Sequence, residues 1–132
     1  MQIGYKSLYV YDTCFRASIY LVYPKKGELT KVDIQTFLSK TFSLKYDLGE
    51  VDFNGKCLQL DGLNNGAHVI FLRKWKRSAE WVSTLVHECF HATEQILDDR
   101  GVKYTVDQSN EAFAYLQESI VIQFLQRLKF PL

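Results

Sequence analysis

Cysteine is scarce and scattered in this chain. Cys14, Cys57 and Cys89 are an odd, widely spaced set with no CxxC pair. That argues against a cysteine-rich zinc knuckle or a disulfide framework, and for free thiols in a reducing compartment. Proline is almost absent: only Pro24 and Pro131 occur. No repeat, low-complexity stretch or linker interrupts the 132 residues, so a single domain spanning 1–132 is expected. There is no excess of either charge, with 16 basic against 15 acidic residues and a net of +1. That balance gives no electrostatic case for a nucleic-acid partner. No apolar run approaches the ~20 residues of a membrane span. The opening Met1-Gln2-Ile3-Gly4-Tyr5-Lys6 carries no apolar signal-peptide core. The expectation is a cytoplasmic protein with no membrane partner.

Apolar and aromatic residues are plentiful, at 47% and 14%, enough for one sizeable core. Ser7 to Asp12 and Arg16 to Tyr23 are rich in Tyr, Val, Ile and Leu and read as a hairpin, broken by Pro24-Lys25-Lys26-Gly27. Thr30 is suited to cap a helix, with Asp33 at its positive end and Ile34, Phe37, Leu38 and Thr41 on one stripe. Asn54-Gly55, between Val51–Phe53 and Lys56–Leu60, carries the signature of a type I′ hairpin. Gly62 and Asn64-Asn65-Gly66 mark a further turn before a strand over Ala67–Leu72. Two helices complete the chain. One runs from a Ser78 cap to about Asp99, with Trp81, Leu85, Val86, Ala92 and Ile96 at helical spacing and Gly101 behind it. The other runs from about Ser109 to Arg127 on a stripe of Ala112, Phe113, Leu116, Ile120, Phe124 and Leu128. The pattern is α+β: a small, twisted, mostly antiparallel sheet packed on these two helices.

The chemistry concentrates in His87-Glu88-Cys89-Phe90-His91. Histidines four apart on a helix face the same way. Both imidazoles can then reach one ion, zinc being the expectation. Glu88 points about 100° around the helix from His87, within reach of a water activated by the metal. This is the mechanical content of an HExxH segment. A zinc site of this kind wants a third protein ligand. Glu111, twenty residues after His91 near the start of the last helix, shares a face with Tyr115 and Glu118. Taken alone it reads as a glutamate placed for the helix dipole, and beside His87-Glu88-Cys89-Phe90-His91 it can close a His₂Glu site. Cys89 points away from the histidines and reads as a core thiol.

His87-Glu88-Cys89-Phe90-His91, nineteen intervening residues, then Asn110-Glu111-Ala112 resembles the thermolysin-type gluzincin pattern. The chain's size is similar to the minigluzincins. Small metallopeptidase-like proteins of phage and prophage origin also resemble it, with a like Glu-Ala-Phe-Ala-Tyr segment. The resemblance implies a zincin-like fold, one zinc ion on His87, His91 and Glu111, and Glu88 as general base and later proton donor. It implies that the strand Ala67–Leu72 is the sheet edge on which an extended peptide pairs. Two departures stand out. Thermolysin-like enzymes carry an aspartate four residues after the ligand glutamate, and here that position is Tyr115. A chain this short also lacks the helical domain that forms the second cleft wall in the large enzymes.

Tyr115 and Glu118 are candidates to orient a ligand histidine, and otherwise serve helix packing. His68 and Tyr104 are candidate oxyanion donors, and otherwise a satisfied strand histidine and a packing loop tyrosine. The run Arg73-Lys74-Trp75-Lys76-Arg77 is a solvated connection or a contact for an acidic partner or nucleic acid. The expected function is zinc-dependent hydrolysis of peptide bonds in a peptide or protein substrate. The alternative is a zinc-scaffolded module that holds a peptide without cutting it. A SprT-like protease acting on DNA-bound proteins shares HExxH, but balanced charge and the missing cysteine ribbon count against it. Oligomeric state is left open.

Overall fold

A computed structural model describes residues 3–60 and 66–129. The element order is β1 (Tyr5–Asp12), β2 (Ala17–Pro24), α1 (Lys31–Phe42), β3 (Gly55–Leu60), β4 (Ala67–Leu72), α2 (Ala79–Asp99) and α3 (Asn110–Arg127). The expected α+β class holds for this domain. The four strands form one mixed sheet in the order β1-β2-β4-β3. β1 and β2 are the expected antiparallel hairpin, β3 and β4 are antiparallel, and β2 and β4 are parallel. α1 covers one face of the sheet and α2 with α3 the other.

Local chemistry explains most boundaries. The β1–β2 turn is held by the Asp12 carboxylate, which accepts from the Phe15 N–H at 2.7 Å. Thr30 and Asp33 form a reciprocal capping box at α1. Ser78 caps α2. Beyond Asp99 the Gly101 N–H donates to the Asp98 carbonyl and the Val102 N–H to the Leu97 carbonyl, both at 2.9 Å. With Gly101 at φ +74°, that is a Schellman closure. The turn expected at Gly62 and Asn64-Asn65-Gly66 lies, apart from Gly66, outside the described residues.

Three expectations need correction. First, Ala67–Leu72 is not the sheet edge. β4 lies between β2 and β3, and all six of its residues are buried. Apart from His68, its residues are all apolar, as suits a strand covered on both faces. The edge beside α2 is β3, whose residues are mostly half-exposed. Second, Asn54-Gly55 makes no I′ hairpin. Val51–Phe53 is not a strand, and Gly55 lacks the positive φ that such a turn demands. The Asn54 carbonyl instead accepts from the Arg73 N–H at 2.8 Å, extending the β3–β4 ladder. Third, Thr41 is exposed. Phe42 takes the expected packing role, its ring 5.2 Å from Tyr20 and 5.9 Å from Phe37.

Candidate metal centre

α2 carries His87, Glu88 and His91 over the edge strand. Successive turns place the two imidazoles side by side, with Nε2 atoms 3.1 Å apart and ring centroids 4.8 Å apart. Two bonds of ~2.0–2.1 Å span such a gap with an angle of roughly 100° between them, close to tetrahedral. The spacing therefore fits a single zinc ion. The potential ligand atoms of His87, Glu88 and His91 all lie within 4.8 Å of one another.

The three side chains differ in environment. The His87 and His91 side chains are 68% and 45% exposed, whereas that of Glu88 is 7% exposed. Its Oε2 lies 4.0 Å from His87 Nε2. Burial raises the Glu88 pKa above the usual carboxylate range, while His91 and His87 pull it the other way. A raised carboxyl pKa favours proton delivery more than an ordinary carboxyl would, which suits general acid–base work.

Two residues shape this environment without any obvious mark in the sequence. Gly55 on β3 sits against the Glu88 side chain. A Cβ at Gly55 would lie 2.7 Å from Glu88 Cγ and 3.0 Å from Thr84 Cγ2. Only glycine lets the strand approach so closely. Gln95 bridges helix and sheet: its Oε1 lies 2.9 Å from His68 Nδ1 and 3.5 Å from Cys57 Sγ, and its Nε2 donates to the Cys57 carbonyl at 3.3 Å. A third residue, Glu94, was also missed, although its three-residue spacing from His91 could have found it. It follows His91 by three and lies 3.1 Å from His91 Nδ1. A carboxylate there fixes the tautomer that leaves Nε2 free to ligate.

The other candidates are dispersed around this centre. Glu111 stands exposed in the first turn of α3 and is not part of the His87–Glu88–His91 cluster. The Gln117 amide reaches the Val86 carbonyl at 3.4 Å, and Phe113 lines a cleft with His91, so α2 and α3 run antiparallel. Counting back six residues from Gln117, roughly 9 Å along the axis, brings Glu111 to about the height of Ala92 on α2. Tyr115 and Glu118 line a separate shallow cleft with Ser119, Ile122 and Gln123. Glu94, rather than either of them, is the carboxylate partner of His91. Tyr104 lines the cleft beside His91. His68 is 1% exposed and tied to Gln95 beneath the helix. Cys89 is buried in the core as expected, and burial raises its thiol pKa.

Clefts flank the centre on both sides. One of about 300 Å³ is lined by Asn54, Gly55, Ser83, Thr84, His87 and Glu88. Another of about 450 Å³ lies among Gln59, His91, Gln95, Tyr104, Phe113 and their neighbours. Together they follow β3 from Asn54 to Gln59. No helix among the described residues is long and apolar enough to cross a membrane. Comparison with protein-family models, with curated proteins and with solved structures returned no match to this chain.

Proposed function

We propose that this protein is a zinc-dependent metallopeptidase of the gluzincin type. The observation that carries the reading is the pair of Nε2 atoms 3.1 Å apart with the buried Glu88 carboxylate beside them. His87 and His91 hold the ion, and Glu111, on α3 at about the height of Ala92, supplies the third ligand by turning its exposed side chain inward. Bound there, zinc supplies Lewis acidity, acidifying water and polarising a carbonyl. Glu88 takes the proton from the attacking water and delivers it to the leaving nitrogen. Its burial supports this role, because a raised pKa brings the two proton transfers closer in energy.

β3 is the strand suited to hold the substrate. The Asn54–Arg73 hydrogen bond sets the ladder's phase. In that phase Gly55, Cys57 and Gln59 turn their backbone groups away from β4, toward the open edge. An extended peptide can pair there, with flanking side chains in the two clefts. The Cys57 carbonyl is already engaged by Gln95, so Gly55 and Gln59 supply the free acceptors.

The test combines metal analysis with turnover. Wild-type protein is expected to carry about one zinc per chain, and Glu111→Ala to hold it less tightly. Glu88→Gln should keep the metal and lose about 10²–10⁴-fold in cleavage of unstructured peptides. Cleavage that persists in Glu88→Gln would refute the assigned role of Glu88. Zinc and peptide bound by a wild-type protein that cuts nothing would favour the zinc-scaffolded binding module instead.

A further inference from the structure

The net charge of +1 hides an uneven distribution. Lys6, Tyr23, Trp75, Lys76, Arg77 and Leu128 line a cleft of about 300 Å³. Three cations from two separate segments meet there, and among the described residues no acidic side chain lines it. Lys6 and Tyr23 are cross-strand neighbours at the start of β1 and the end of β2. Lys6 lies on the same strand face as Leu8 and Val10, which pack toward the α2–α3 layer. The run from Arg73 to Arg77 divides in function. Arg73 and Lys74 both pair with Glu28. Lys76 and Arg77 make no ion pair among the described residues, and neither does Lys6. Like charges gathered without a counter-charge repel one another, and an anionic ligand relieves that repulsion. Trp75 and Tyr23 are half-buried, each packed on the core, and both contribute surface to the cleft.

We propose that this cleft binds single-stranded nucleic acid, with Lys6, Lys76 and Arg77 on backbone phosphates and a base against the Trp75 and Tyr23 rings. Cations flanked by aromatic rings are the combination that single-strand binding uses, because every base has a stacking face. An acidic protein segment would use the cations and leave the rings idle. A duplex keeps its bases stacked inside, away from the rings. The cleft is built from other residues than the metal centre, so the proposal stands whether or not the protein cuts peptides.

The experiment is fluorescence anisotropy with a labelled oligothymidylate and a labelled oligouridylate, at several salt concentrations, on the 132-residue chain. The triple variant Lys6→Ala/Lys76→Ala/Arg77→Ala should bind at least tenfold more weakly. The slope of log affinity against log salt should fall by about 2 if three phosphate contacts are lost. Trp75→Leu should weaken binding by about fivefold to a hundredfold through lost stacking. The charge-matched triple Lys40→Ala/Lys45→Ala/Lys103→Ala, at other sites, should bind as wild type does. Circular dichroism checks folding, and Lys76→Glu, at an exposed position, carries the test if the first triple fails to fold. No binding by wild type would overturn the proposal. Equal loss in the charge-matched triple would overturn it too. So would competition by polyglutamate as effective as by unlabelled oligothymidylate, which would mark an acidic-protein surface.

Discussion

The two faces of the sheet differ in chemistry. Under α1 the core is aromatic: Phe37 meets Tyr5, Tyr20, Phe42 and Phe71 edge-on, with centroids 5.8 to 6.2 Å apart. The buried polar group on that face is Ser18, bonded to the Tyr9 hydroxyl at 2.9 Å. Under α2 and α3 the core is mainly aliphatic, yet it buries Glu88, Thr93 and His68 and holds the Gln95 bridge to Cys57. One face packs almost wholly apolar and aromatic groups. The other gives up part of its apolar contact to hold groups whose desolvation is costly unless they are paired. Such expense is ordinarily found where chemistry is done.

The sharpest way to break this contrast is Phe37→Ala. It should cost about 3–5 kcal/mol of stability, read as a lowered urea midpoint, while folded protein keeps its metal affinity. Loss of metal binding ahead of unfolding would show that the faces are coupled. Next comes Gly55→Ala. The added Cβ must displace Glu88, with an overpacking cost of about 1–3 kcal/mol. Peptide cleavage should fall while zinc content stays, and unchanged cleavage would detach Gly55 from the site. Glu94→Gln should weaken zinc affinity or activity by about 10–100-fold, measured by competition with a chelator. An unaltered affinity would mean that His91 is oriented by its packing alone.

The smallest effect concerns the cost of burying Glu88. Burial raises its folded pKa above the unfolded value. The folded state therefore holds the proton more tightly, and stability falls as pH rises from the ordinary carboxylate range through that raised value. Metal-free Glu88→Gln should accordingly be more stable than metal-free wild type at neutral pH. Its advantage should vanish as pH drops below the usual carboxylate range. Urea midpoints across that range check the sign. A variant less stable at neutral pH would mean that the histidines stabilise the carboxylate more than burial penalises it.

Much of this contrast was readable beforehand. His87, Glu88 and His91 come together because four-residue spacing on a helix is a local rule. The caps at Thr30, Ser78 and Gly101 are local too, and they fell where expected. Glu94 was overlooked in favour of Tyr115 and Glu118, though the same local rule places it beside His91. Strand order was not legible. β4 was expected at the edge, and nothing local says that β3 takes that place beside α2. Asn54-Gly55 was misread because glycine serves both turns and close approach, and only the packing partner distinguishes them. The basic cleft was half visible as the run from Arg73 to Arg77. Lys6 and Tyr23 join it only through the β1–β2 register.

The sequence by itself determined the helices, their caps and the two imidazoles on one helical face, since these depend on residues within a turn of one another. Tertiary structure decided which strand borders the candidate metal centre, that Glu88 is buried against Gly55, and that Lys6 meets Lys76 and Arg77. Those arrangements join segments that are distant in the chain, and they are fixed by which apolar surfaces the whole fold must cover at once.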